Sequence, residues 1–252
     1  QAIGLPASWA FGFLIHLISS YRWDSIARLV VVLTLLSGCD GREHDYYPLT
    51  QDHWWLYDIS ETILDDEHHA RYLVRNGAAQ RRRAGEAVVQ YLQLRSRDLI
   101  AVTEAGVQRL QGLRPSALGT QFDEKPRLII PHDHDQVWSV TSTLGLIESR
   151  TFARQDRLRV RRLPLTLSKR VAAVSEGITT PAGTFEDCLR IDGTGDRSVQ
   201  TDRGNSVADV VVKTSEWYAR GIGLVRLERN ETSPSTFLKP GRQIWTLLEF
   251  GD

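Results

Sequence analysis

The chain has 252 residues, with 31 Lys and Arg against 31 Asp and Glu, 41% hydrophobic and 25% charged residues, two cysteines and no methionine. Balanced charge argues against a polybasic nucleic-acid binder, and the ordinary apolar content against both a disordered chain and a multispanning membrane protein. Two cysteines build neither a disulfide framework nor a four-cysteine zinc site, so the core has to hold the fold. Position 1 is Gln, so residues before about Ser20 are expected to precede the true start of the protein.

The first element is a presequence. Leu29 to Leu36 form an apolar run with one Thr, flanked by Arg22 and Arg28 and followed by Ser37 and Gly38. A basic flank, a short apolar stretch and a small-residue end are the layout of a secretory signal. The run is too short to cross a bilayer as a helix, which takes about 20 residues. Extending it back to the patch Trp9 to Ile18 would bury Arg22, Asp24 and Arg28 at several kcal/mol each.

Leu36-Ser37-Gly38-Cys39 resembles the lipobox of bacterial lipoproteins. The resemblance implies cleavage before Cys39, a diacylglycerol thioether on its sulfur and attachment to a membrane, since two or three acyl chains give stable anchoring. Asp40 resembles the residue that retains lipoproteins in the inner membrane of enteric bacteria. Residues 1–38 are then a signal peptide region, residues 39–53 the lipidated cysteine and a polar tether, and 54–252 one domain. The expected location is the bacterial cell envelope, facing the periplasm or exterior.

From Trp54 onward, runs rich in Val, Ile, Leu, Tyr and Trp alternate with Gly, Pro, Asp and Asn at intervals near ten residues. That spacing predicts a mostly β fold: a single antiparallel, strongly curved sheet, a sandwich or an open barrel, of about ten strands with little helix. The expected strands are 54–63, 69–75, 86–96, 107–112, 137–142, 156–163, 170–178, 184–192, 207–218, 223–229 and 242–250. Ser60 to Arg75 also fits a capped helix; two strands turning at Asp65-Asp66 are preferred. In 207–217 the even positions Ala208, Val210, Val212 and Thr214 are the more apolar set and are expected to face the core.

Thr180-Pro181-Ala182-Gly183-Thr184 predicts a hairpin in which Pro181 sets φ and Gly183 takes a left-handed position. Gly221 and Gly223 do similar work between Trp217-Tyr218 and Leu224-Val225. With these turns a second resemblance appears. Tyr46-Tyr47-Pro48-Leu49 before Trp54-Trp55-Leu56-Tyr57, TTPAGTF at 179–185, and EWYARGIGLVR at 216–226 are similar to a broad group of uncharacterised bacterial lipoproteins and secreted β-domains. The resemblance implies a shared β-domain and no catalytic residue. Where that group has Gly shortly before the opening Trp, this chain has Gln51-Asp52-His53, so a different first turn is expected.

Among candidate sites, His132-Asp133-His134-Asp135 alternates metal-ligating side chains, but zinc needs ligands from a second element, and only His68, His69 and the adjacent acids could supply them. A polar turn before Val137-Trp138 is expected instead, with no metal and no cofactor. Arg150 to Arg170 holds eight basic residues and one acid, Asp156. Arg157, Arg159 and Arg161 there alternate with Leu158 and Val160. They form either a solvated face answered by neighbouring carboxylates or a patch for anionic lipid, cell-wall polymer or an acidic envelope protein, with nucleic acid excluded by the location. The phase change at Leu163, Leu165 and Leu167 predicts a bulge or strand end near Pro164. Cys188 is expected to be an unpaired core thiol. Trp54, Trp55, Tyr57, Trp138, Trp217, Tyr218 and Trp245 are expected mainly in the core, with Trp54 and Trp55 on opposite faces.

No GxSxG, phosphate loop, HExxH or penicillin-recognising Ser/Lys signature occurs, so a non-catalytic protein is expected. Two functions fit: an envelope domain that binds or scaffolds another component, or a carrier or receptor for an apolar ligand held in a β-domain cavity, a combination of anchor and fold that periplasmic lipoprotein carriers resemble. A scaffold is solid inside; a carrier is not. Replacing Cys39 by Ser is expected to remove the mass of the acyl groups and release the protein from membranes; unchanged mass and fractionation would contradict the lipobox reading.

Overall fold

Alternation of buried and exposed residues along unusually long strands organises the domain. The computed structural model describes residues 46–63, 66–82, 85–93, 96–116, 119–123, 125–149, 163–201 and 206–252. Within them run fifteen strands: β1 (Trp54–Ile63), β2 (Asp66–Arg82), β3 (Gly85–Leu92), β4 (Ser96–Thr103), β5 (Gly106–Ser116), β6 (Gly119–Asp123), β7 (Arg127–Pro131), β8 (Val137–Thr143), β9 (Glu148–Ser149), β10 (Pro164–Thr180), β11 (Gly183–Thr201), β12 (Ser206–Ala219), β13 (Gly223–Thr232), β14 (Leu238–Lys239) and β15 (Gly241–Gly251). No α-helix occurs among the described residues, and none there could cross a membrane. The mostly antiparallel-β fold expected from sequence is the one found, with more strands than the expected ten.

Thirteen strands join one sheet in the order β6-β5-β4-β3-β2-β1-β15-β13-β12-β11-β10-β8, with β7 also paired to β5; β9 and β14 pair separately. The sheet curls until its two ends meet. Ile100, Val107 and Ile130 of β4, β5 and β7 pack in one cluster with Trp138 of β8 and Leu189, Ile191 and Tyr218 of β11 and β12. At the seam, β7 and β8 follow one another in the chain, yet each finds its ladder elsewhere, β7 on β5 and β8 on β10. Trp138 Nε1 spans the gap, donating to the Leu128 carbonyl at 3.2 Å. Side chains thus close the barrel along this line.

The sequence pattern explains which face turns in. On β12, Ala208, Val210, Val212 and Thr214 are buried while Val207 is 71% exposed, the expected division. Residues 60–75 are two strands, with Ile63 opposite Asp66. The expected strand 86–96 ends at Leu92, and Ser96 opens β4, whose separate existence and that of β7 the sequence reading missed. Residues 156–162 of the expected strand 156–163 lie outside the described residues, and Leu163 is not in a strand; β10 begins at Pro164, where a residue without an N–H is tolerated.

Residues 46–53, read from sequence as part of a polar tether, pack into the domain. Tyr46 is 1% exposed, because its ring joins the cluster of Ile100 and Leu189 and carries the Arg220 guanidinium 4.5 Å from its centroid. Buried Asn76 donates to the carbonyls of Pro48 and Thr50 at 3.0 and 2.9 Å, Gln90 Nε2 donates to Asn76 Oδ1 at 2.9 Å, and Tyr47 donates to Gln90 Oε1 at 2.9 Å. In the first turn Asp52 takes a left-handed φ of 69°, a conformation that Gly adopts most easily and Asp tolerates.

One buried carboxylate fixes the opposite end. Glu231 is 0% exposed; its Oε2 accepts from the backbone N–H groups of Leu146 and Ile147 at 2.9 and 3.1 Å, and its Oε1 from that of Gly145 at 3.0 Å and from Arg229 Nε at 2.8 Å. Arg229 continues to Ser142 Oγ and the Thr143 carbonyl. The loop so held sets Leu144 and Ile147 against Leu165, Leu167, Val210 and Val212. In Glu231→Gln an amide NH₂ would face donors, and stability is expected to fall by ~3 kcal/mol; urea denaturation showing a loss below ~1 kcal/mol would contradict this role.

Candidate ligand-binding lumen

The curled sheet leaves a cavity of about 390 Å³ inside it. This lies within the ~300–1,000 Å³ of small-molecule sites. One wall is aromatic and aliphatic: Trp55, Tyr57, Val74, Leu224, Leu227 and Trp245 from β1, β2, β13 and β15. The rings are braced, with Tyr57 and Tyr72 at 5.7 and 5.2 Å from the Trp245 ring. Trp55 Nε1 donates to the Ile222 carbonyl at 2.5 Å and Tyr57 to the Leu224 carbonyl at 2.8 Å, which pins β1 to the turn before β13.

The facing wall is polar. Lys169 on β10 meets Glu216 on β12 at 2.5 Å, and Tyr218 donates to the other Glu216 oxygen at 2.8 Å. Glycine at 193 allows this: a Cβ there would lie 2.5 Å from Thr214 Oγ1 and 3.2 Å from Lys169 Cγ. Asp98 of β4 lies 3.5 Å from Arg109 of β5. Arg109 stands directly opposite Arg127 of β7 in the register, and both line the cavity, as do Val140, Thr141 and Ser142 of β8 across the seam. Burial pushes the phenols of Tyr47, Tyr57 and Tyr218 well above their usual range, so all three remain neutral donors.

Two buried donors in this lumen have no protein acceptor. They are the Thr214 hydroxyl and Trp245 Nε1. An unmet buried polar group costs about 1–3 kcal/mol, so both invite an acceptor carried by water or a ligand.

The residues singled out in the sequence fall elsewhere. Cys39, Arg157, Arg159 and Arg161 lie outside the described residues. Pro181 and Gly183 form the β10–β11 hairpin, with Gly183 at φ 141°, and Gly221 and Gly223 turn β12 into β13 at φ 69° and 98°. Gly223 alone of these lines the lumen, 3.3 Å from Trp55 Nε1 to a would-be Cβ. His132 to Asp135 form the β7–β8 turn, where His132 Nε2 donates to the Thr103 carbonyl at 2.8 Å and Asp133 Oδ1 accepts from the Asp135 N–H at 2.9 Å. Among the described residues no three His, Cys, Asp or Glu side chains converge as metal ligands.

Sequence reading missed the polar wall. Thr214 was placed on the inward face of β12, and Glu216 follows from the same alternation. Lys169 was counted with the basic stretch, although its even spacing from Leu165 and Leu167 puts it on their buried face.

Residues 145–234 match the DUF3108-like family model. The match runs from the Glu231-held loop through β13 and contains both hairpins whose turn glycines were read from the sequence. No curated protein matches the chain. Two solved structures resemble it. One is a candidate lipoprotein from Parabacteroides distasonis ATCC 8503, at 14% identity over 82% of this chain and 98% of that one, with a TM-score of 0.41. The other is a candidate exported protein with a YmcC-like fold from Bacteroides fragilis NCTC 9343, at 13% identity, 82% and 98% coverage and a TM-score of 0.37.

Cys188 sits outside the lumen lining, 0% exposed, its Sγ 3.7 Å from the Phe185 carbonyl. Burial, with Glu176 and Asp187 nearby, pushes its thiol up to about 11. At pH 8 only ~0.1% is thiolate. A disulfide reagent at that pH is expected to leave Cys188 unmodified in folded protein and to label it fully in denaturant; rapid labelling of the folded form would contradict the burial.

Proposed function

We propose that this protein is a non-catalytic receptor or carrier of the bacterial cell envelope, tethered through Cys39, that holds one amphipathic molecule inside its β-barrel. The supporting observation is the lumen itself: about 390 Å³, with Trp55, Tyr57 and Trp245 on one side and charged groups on the other. A scaffold that acts only through its outer surface has no use for such a space. The two-sided lining favours a ligand with an apolar body and a polar end.

The magnitudes are adequate. Each buried CH₂ contributes about 0.8 kcal/mol, so about ten of them yield about 8 kcal/mol, a micromolar Kd before ordering costs. The preformed aromatic wall keeps those costs small.

Protein extracted from its native membrane in mild detergent is expected to carry a co-purifying small molecule in native mass spectrometry. Leu227→Trp fills the apolar side and is expected to abolish that adduct while thermal stability stays within about 1 kcal/mol of the parent. A barrel that carries no adduct and binds no acyl chain by tryptophan fluorescence would support the scaffold instead.

A further inference from the structure

We infer that the ligand is a neutral acyl ester whose carbonyl oxygen accepts a hydrogen bond from the Thr214 hydroxyl, with its hydrocarbon chain along Trp55, Tyr57 and Trp245. The inference rests on the lumen-binding reading above and names the ligand class.

Thr214 lines the cavity and is 6% exposed, yet its hydroxyl has no partner in the protein. The strand register explains why. Thr214 stands opposite Gly193 on β11 and Arg229 on β13. Glycine brings no side chain to that side, and a Cβ there would lie 2.5 Å from Thr214 Oγ1. A guanidinium has donors only, and Arg229 directs its own to Glu231, Ser142 Oγ and the Thr143 carbonyl. Two residues along β12, both oxygens of Glu216 already accept, one from Lys169 and the other from Tyr218. From the aromatic wall, Trp245 Nε1 offers a second unmet donor to the same space. What the lumen leaves open is therefore hydrogen-bond donation without charge.

The charged groups of the lining, by contrast, are engaged within the protein. Lys169 has Glu216 at 2.5 Å, Arg229 has Glu231 at 2.7 Å, Arg109 has Asp98 at 3.5 Å, and Arg127 also interacts within the protein. A carboxylate, phosphate or ammonium head would have to break one of these contacts or be buried unpaired, and either is costly. An alcohol or a protonated acid brings a hydrogen that needs an acceptor of its own, whereas the carbonyl of an ester only accepts. Such an oxygen satisfies the Thr214 hydroxyl and leaves nothing else unmet, while the rest of the molecule is apolar enough for the aromatic wall.

The experiment is displacement of a neutral apolar fluorescent dye from the full chain by four probes with ten-carbon chains: methyl decanoate, decane, decanoate and decyltrimethylammonium. Methyl decanoate is expected to bind at least about tenfold tighter than either charged probe. Thr214→Val removes the donor at nearly constant volume and is expected to lower the affinity for methyl decanoate, relative to decane, about fivefold; Thr214→Ser, which keeps the hydroxyl, is expected to restore the ratio. Without ligand, Thr214→Val is expected to raise the urea midpoint, because it removes an unmet buried hydroxyl, whereas loss of a hydroxyl that served only the fold would lower it. An ester-to-decane ratio unchanged in Thr214→Val, a lowered midpoint, or decanoate as the tightest probe would overturn the ester assignment while leaving the lumen reading intact. Failure of every probe to displace the dye would overturn both.

Discussion

A sheet of thirteen strands with one apolar face has to curl until that face meets itself, because no second layer covers it. The curl is what brings Ile100 and Ile130 against Leu189 and Tyr218, residues from opposite ends of the strand order. Everything else depends on it: the Tyr46 to Thr50 segment packs into the closed structure, and the Glu231-held loop packs Leu144 and Ile147 against β10 and β12. Closure is incomplete in one respect. Between β7 and β8 the barrel is held by Trp138 and its neighbours, and the cavity lining reaches that line.

Burying charge inside such a barrel is costly unless each group finds a counterpart. Lys169 with Glu216, and Arg229 with Glu231, meet that requirement within 2.7 Å and are best understood as structural. Glu231 shows the principle at its fullest, since backbone N–H groups and a guanidinium answer both of its oxygens.

Much of the fold was legible because its signals are local. Turn residues 180–184 and 219–223, the β-alternation of 207–217 and the burial of Cys188 each depend on a few adjacent residues. Strand β4 was lost because nothing between Leu92 and Ser96 breaks the chain with Gly or Pro, so the preceding strand was carried on to residue 96 and residues 97–103 were left without one. Strand β7 is five residues long, below the length at which alternation is recognisable. Tyr46 and Tyr47 sit among polar neighbours and resembled a tether, while their burial comes from Asn76, Gln90 and Arg220, far along the chain.

The sequence by itself determined the class of fold, the inward face of β12 and the hairpin turns, since each is encoded at spacings of one to a few residues. Only the tertiary structure decided that the sheet encloses a space and which charges meet inside it. Lys169 and Glu216 are 47 residues apart, and Arg109 faces Arg127 because β7 returns to β5. Such partners follow from register and closure, which are properties of the whole sheet; a cavity, being the volume that side chains leave unfilled, has no residue of its own to announce it.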